Sequence, residues 1–236
     1  MATLKEIDYA IRYVLQERLY DPIDILLRIN TGISRIAAGI KLPDGRVSPP
    51  LPDLYTTASV DTVDGAAMAS LPSSPATSVY QRDVLTVSDS NKERINPPRG
   101  GNYYSFNTFM RRAYYKDLSE TGSVYMAAVK GNYLYYQGIP TSPETLLVGY
   151  YRKPVDMVVA NWGTDTPDGI PVPFQLDLIK HLVLAERFGD AIGRKDSSGY
   201  ARKQDIHMKR FYEILDEMMQ FVGEEEGQPE YYHYGE

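Results

Sequence analysis

The sequence predicts an α+β fold: a bundle of about four helices formed by both chain ends, with an inserted antiparallel β-rich domain and a flexible C-terminal arm. Three observations carry this expectation. Apolar residues recur at helical spacing before residue 42 and again after residue 172. Between them lie short runs dominated by Thr, Val and Tyr, separated by Pro, Gly and Ser. The last stretch, GEEEGQPEYYHYGE, has no aliphatic side chain to bury. The expected domains are a helical hairpin over 1–43, a β-rich insertion over 44–160, a second helical hairpin over 161–222 packing with the first, and an acidic, tyrosine-bearing arm over 223–236.

Residues 3 to 19 read as an amphipathic helix, with Leu4, Ile7, Ile11, Val14 and Leu15 on one face and Lys5, Glu6, Asp8 and Arg12 between them. Asp21 followed by Pro22 is a cap and first-turn signature. Ile23, Leu26, Ile33, Ile36, Ala37 and Ile40 then carry a second helix to Lys41, predicted to form an antiparallel hairpin with the first. Asn30 falls on or beside its apolar stripe and reads as a satisfied core or helix-contact asparagine.

LPDGRVSPPLPDLY ends the helical region. Strands are expected at YTTASV, DVLTV, SVYMAAV, YLYYQ and TLLVGYYR. Lys130, Gly131 and Asn132 mark a hairpin, and Thr145 to Arg152 is expected to pair with its second strand. ASLPSSPATS and NKERINPPRGGN read as the longest loops. A third helix begins at Pro173 and stops near Gly193. A fourth covers 200–222, with Ile206, Phe211, Ile214, Leu215, Met218, Met219 and Val222 on its apolar side and Gly223 as its C-cap.

The formal charge is −6, and with the five glutamates of the tail set aside, 26 acids face 25 bases. That balance disfavours a nucleic-acid binder, which clusters Lys and Arg to neutralise phosphates. The pairs Arg111–Arg112 and Arg152–Lys153 read as solvated charges. The absence of cysteine excludes disulfides, thiolate catalysis and Cys-ligated metals, and fits a reducing cytoplasm. The opening MATLKEIDYA lacks the basic-then-apolar pattern of a signal peptide, and no stretch approaches the ~20 apolar residues of a membrane span. Twenty tyrosines against 6 phenylalanines and 1 tryptophan predict many positions with the ring packed and the hydroxyl at a wet surface or interface.

Chemistry-bearing patterns are missing. His181 and His207 sit on different predicted helices without HxxxH or HExxH spacing, and His233 is in the tail, so no metal site is expected. Asp216 and Glu217 read as a solvated face. GxxxxGK[ST], GxGxxG and GxSxG do not occur. The pairs Tyr103–Tyr104, Tyr114–Tyr115 and Tyr135–Tyr136 could stack bases or sugars, but neighbouring strand residues point to opposite faces, so one ring packs inward and one outward. No catalytic residue and no cofactor is predicted, and the residues describe a non-enzymatic binding protein.

The helix pair ending in IN..I..IA..I.LPD (Ile29, Asn30, Ile33, Ile36, Ala37, Ile40 to Asp44) resembles the start of tailed-bacteriophage head-to-tail adaptor proteins. So does YLYYQGIPTSPETLLVGYYRKPVDM followed by GIPVPFQLDLIKHLVLAERFGD. The likeness covers both helical ends and the last strands. The β region from about 44 to 130 departs from minimal members. The resemblance implies a virion structural protein at the neck, assembled in the host cytoplasm. About twelve copies would form a ring beneath the portal protein, lengthen the channel used in genome ejection, and dock tail nozzle or fibre proteins. DNA would pass without specific binding. It also implies a C-terminal segment that grips the portal, for which Glu224, Glu225, Glu226, Tyr231, Tyr232 and Tyr234 are the candidate contacts: tyrosines for pockets, glutamates for basic groups. The alternatives are a neck or tail-completion protein, a β-rich carbohydrate- or receptor-binding module, and, weakest, a hydrolase whose site forms only in the fold.

Overall fold

The computed structural model describes residues 1–15, 19–72, 79–95, 106–113, 120–192 and 199–225. The fold is α+β, as the sequence predicts, and divides into two compact units, Met1–Asp53 with Asp156–Glu236, and Leu54–Val155.

The first unit is helical: α1 (Leu4–Val14), α2 (Pro22–Ala38), α4 (Gln175–Ala191) and α5 (Tyr200–Glu225), with α3 (Phe106–Ala113) belonging to the other unit. Thr3 caps α1 through a capping box with Glu6. The remaining first-turn donors are met by the returning chain, since Leu4 N donates to Asp165 O (2.8 Å) and Lys5 N to Trp162 O (2.9 Å). The helix ends at Val14, short of the expected Leu19, because Leu15 turns extended and is itself buried. Asp21 and Pro22 start α2 as predicted. It stops at Ala38, before Lys41, where Gly39 takes φ +92°. The buried stripe of α2 is Ile25, Ile29, Ile33 and Ile36; Ile23, expected on that face, is 81% exposed.

Helix α4 is the centre of the unit. It buries Leu178, Ile179, Leu182, Val183, Leu184, Ala185 and Phe188, on nearly every side. Helices α1, α2 and α5 all pack on it. Helices α1 and α2 touch, and each meets α4 more extensively than it meets the other. Gly32 permits the closest approach, since a Cβ there would stand 3.0 Å from Leu182 Cδ2. Ions clasp the rim: Arg28 bonds Asp24 (2.9 Å) and Asp190 (2.6 Å), and Arg187 reaches Asp24 (3.0 Å) and donates from Nε to Leu19 O (3.0 Å). Asn30 bears out its reading. Its amide donates to Met157 O (2.9 Å) and accepts from Met157 N (3.0 Å), so one side chain holds the strand-like return from the inserted unit.

The second unit holds two three-stranded antiparallel sheets. One has the order β1 (Tyr55–Asp61), β6 (Thr145–Arg152), β3 (Val79–Ser88); the other β2 (Met68–Ser70), β5 (Tyr133–Gln137), β4 (Met126–Lys130). Their inner faces share one core, including Val60, Val84, Val87, Ala127, Leu134, Tyr136, Leu146, Val148 and Tyr150. The β4–β5 hairpin turns at Gly131 (φ +59°) as expected. Strand β6 does not pair with β5, as predicted, but lies between β1 and β3, with Tyr55 opposite Tyr151 and Ala58 opposite Val148. At Gly138 (φ +82°) the chain passes against the Ser123 carbonyl and leaves the sheet, which breaks that meander. ASLPSSPATS is not wholly loop, since β2 occupies its start and buries Ala69. Helix α3 (Phe106–Ala113) was missed; its Phe109 and Phe106 cover Met126, Ala128 and Tyr135, which is why β4 is buried on both faces.

Replacing Asn30 with Ala removes both bonds to Met157 and should cost roughly 2–3 kcal/mol, read from urea unfolding. Gln137 behaves differently. It is 1% exposed and among the described residues neither side-chain polar atom has a hydrogen-bond partner, so Gln137→Met should leave stability unchanged or raise it by about 1–3 kcal/mol.

Candidate interaction surfaces

Of the predicted contact residues, two lie on the end of α5. Helix α5 runs through Gly223 to Glu225, and Gly223 has no positive φ, so it is a helical residue and not the expected C-cap. Glu224 and Glu225 are thus on the last turn of α5. Glu226, Tyr231, Tyr232 and Tyr234 lie outside the described residues, as do Tyr103, Tyr104, Tyr114, Tyr115 and His233. In the pair Tyr135–Tyr136 the two rings take opposite faces as expected, with Tyr136 fully buried and accepting from Val63 N (3.1 Å), but Tyr135 is not shown outward, since Phe106 of α3 packs edge-on against it.

Folding brings together two histidines that the sequence left apart. His181 on α4 and His207 on α5 approach to 2.9 Å between their Nδ1 atoms, and Phe188 stacks on His207 at 5.6 Å. One ring must donate and the other accept, so the contact requires at least one neutral imidazole. Burial pushes His181 down to about 4, with Lys180 and the His207 ring adding to the effect. Burial, then Lys180 and Lys203, lowers His207. Arg210 also faces the pair, and Asp177 opposes the trend. A helix-periodicity argument could have found this contact only with the α4–α5 register in hand. Among the described residues no cluster of three or more His, Cys, Asp or Glu could hold a metal.

The outer face of the helical unit carries an aromatic groove. Tyr9 and Tyr13, one turn apart on α1, are 69% and 84% exposed. With Arg12, Leu15 and Tyr20 they line a depression of about 480 Å³. Tyr20 is fixed from beneath, its hydroxyl donating to both carboxylate oxygens of Asp8 (2.8 and 2.9 Å) while Arg12 stands 5.2 Å over its ring. Burial raises Asp8 above the usual carboxylate range, and burial together with the Asp8 bond pushes Tyr20 up to about 12. Of the residues expected on the wet face of α1, Lys5, Glu6 and Arg12 are exposed and Asp8 is buried, while Tyr9 and Tyr13, absent from that expectation, share the exposed surface. Ile23 and Leu27, one turn apart on α2, are also exposed.

These are features of a protein that offers surface. Among the described residues, no helix is long and apolar enough to cross a membrane. A family model described as SU10 adaptor protein matches residues 2–231, and a comparison with curated proteins finds no match.

The histidine pair gives a pH prediction. Both folded-state values lie below the ordinary 6.5, so between about 6.5 and about 4 the unfolded chain binds more protons and stability falls as pH falls. The midpoint of thermal unfolding of the wild type, measured from pH 7 to pH 5, should drop more steeply than that of a His181→Gln, His207→Gln variant.

Proposed function

The chain belongs to the SU10 adaptor protein family, and from that premise we propose that it is a head-to-tail adaptor that joins the portal to the tail in the neck of a phage particle. The carrying observation is the family match over nearly the whole chain, which takes in both helical ends and the inserted β unit. In this reading about twelve copies form a ring beneath the portal protein and extend the DNA channel. The near balance of acids and bases outside the tail supports passage of a duplex without phosphate contacts. The role is structural, with no catalytic residue assigned.

The C-terminal arm is the portal contact in this proposal, with Glu224, Glu225 and Glu226 meeting basic groups and Tyr231, Tyr232 and Tyr234 filling pockets. Repetition around a ring raises the effective concentration of each arm and offsets the entropy of ordering it. The β unit is assigned to contacts with neighbouring subunits and with tail nozzle or fibre proteins. Assembly takes place in the host cytoplasm.

Mass photometry of portal rings mixed with the protein tests the ring and the arm together. The expected gain is roughly twelve times the 26.7 kDa chain, and removal of residues 226–236 should reduce the occupied sites at least tenfold at equal concentration. A portal that gains no mass would overturn the adaptor reading; a full gain by the shortened chain would overturn only the arm.

A further inference from the structure

We propose that the aromatic groove of α1 is the seat of the chain's own C-terminal segment, residues 226–236, in the free subunit. This holds whatever the segment meets in the virion. Three observations bear on it: the chemistry of the groove, the composition of the segment, and the distance between them.

The groove presents three tyrosine rings and one cation. Tyr9 and Tyr13 are largely exposed, and among the described residues Arg12 forms no ion pair, its partner being the Tyr20 ring. Among the described residues of the site the one acid, Asp8, is buried to 6% exposure and capped by the Tyr20 hydroxyl. Among those residues the exposed charge is that of Arg12, which is positive. The segment EGQPEYYHYGE offers the complement: Glu226, Glu230 and Glu236 without Lys or Arg, three tyrosines, and Pro229, which favours an extended chain. Aromatic-lined grooves take extended, proline-containing peptides by stacking and by a few polar contacts.

The reach is sufficient. Helix α5 ends beside the start of α4, where Phe221 meets Phe174 at 5.6 Å. Helix α1 runs in the same direction as α4, since Ala2 N donates to Gln175 Oε1 (2.9 Å) at one end and Arg187 Nε to Leu19 O (3.0 Å) near the other. Tyr13 lies about 14 Å along α1 from Leu4 at 1.5 Å per residue. The lateral offset from α5 across α4 to α1 is at most about 20 Å at ordinary helix spacings. The diagonal is then about 24 Å, whereas the residues after Glu225 span up to ~36–40 Å when extended. Seating within one chain is geometrically open, and its high effective concentration favours it over a second copy. The segment would leave the groove when a partner offers more contacts.

Photo-crosslinking in the full chain tests this. With Tyr13 replaced by p-benzoyl-phenylalanine, irradiation followed by peptide mass spectrometry should join position 13 to residues 226–236 in material of single-chain mass. The yield should hold across a tenfold dilution and fall at least threefold when Arg12→Glu is added. The same photo-reactive residue at position 232 should return to α1, which guards against local disturbance at position 13. Crosslinks confined to the helical bundle, crosslinks mainly between chains, or a yield indifferent to Arg12→Glu would each overturn the proposal.

Discussion

The structure depends on keeping α4 dry. A helix with apolar residues on nearly every side cannot rest on one neighbour, and three helices from both ends of the chain are recruited to cover it. That requirement makes the chain return after the β unit. The return is held by polar contacts: Asn30 pairs with Met157 as a neighbouring strand would, and the backbone near Trp162 and Asp165 completes the N-terminus of α1. A large insertion can therefore sit between α2 and α4 without loosening the bundle, because its exit is fixed by hydrogen bonds and not by the length of a loop.

The same economy governs charge. Arg28, Arg35 and Arg187 are bound to Asp24, Glu186 and Asp190 across the α2–α4 seam, and Arg46 links Asp44 to Asp216 of α5. Arg28 and Arg187 are the more buried of these and fix α2 against α4, whereas Arg35 and Arg46 are more than half exposed. What the helical unit leaves for partners is aromatic and aliphatic area on the outer faces of α1 and α2.

Much of this was legible. The Asp21–Pro22 start of α2, the hairpin at Gly131, the inward ring of Tyr136 and the role of Asn30 each follow from a local rule, and a local rule is all that a cap, a turn or a strand face needs. The errors share a cause in tertiary context. Ile23 and Ile206 match the helical period but face outward, since the stripe is set by where α4 lies. Strand β6 was given its neighbour in sequence, whereas Gly138 redirects the chain. Helix α3 carries only two large apolar residues toward β4, too few to register as a period. The histidine pair and the buried Asp8–Tyr20 bond need the relative placement of separate segments, which composition does not encode.

Those two polar pairs bear on what kind of protein this is. Each is a meeting of titratable groups in a half-dry setting, the arrangement from which enzymes build acid–base sites. Here each group satisfies the other. The Tyr20 hydroxyl donates to Asp8, and one ring of the His181–His207 pair donates to the other against Phe188. Burial is the first cause of each shift, lowering His181 and His207 and raising Tyr20 and Asp8, and in each pair the hydrogen-bonding atoms face one another. Their effect is to fix the α4–α5 seam and the floor of the aromatic groove.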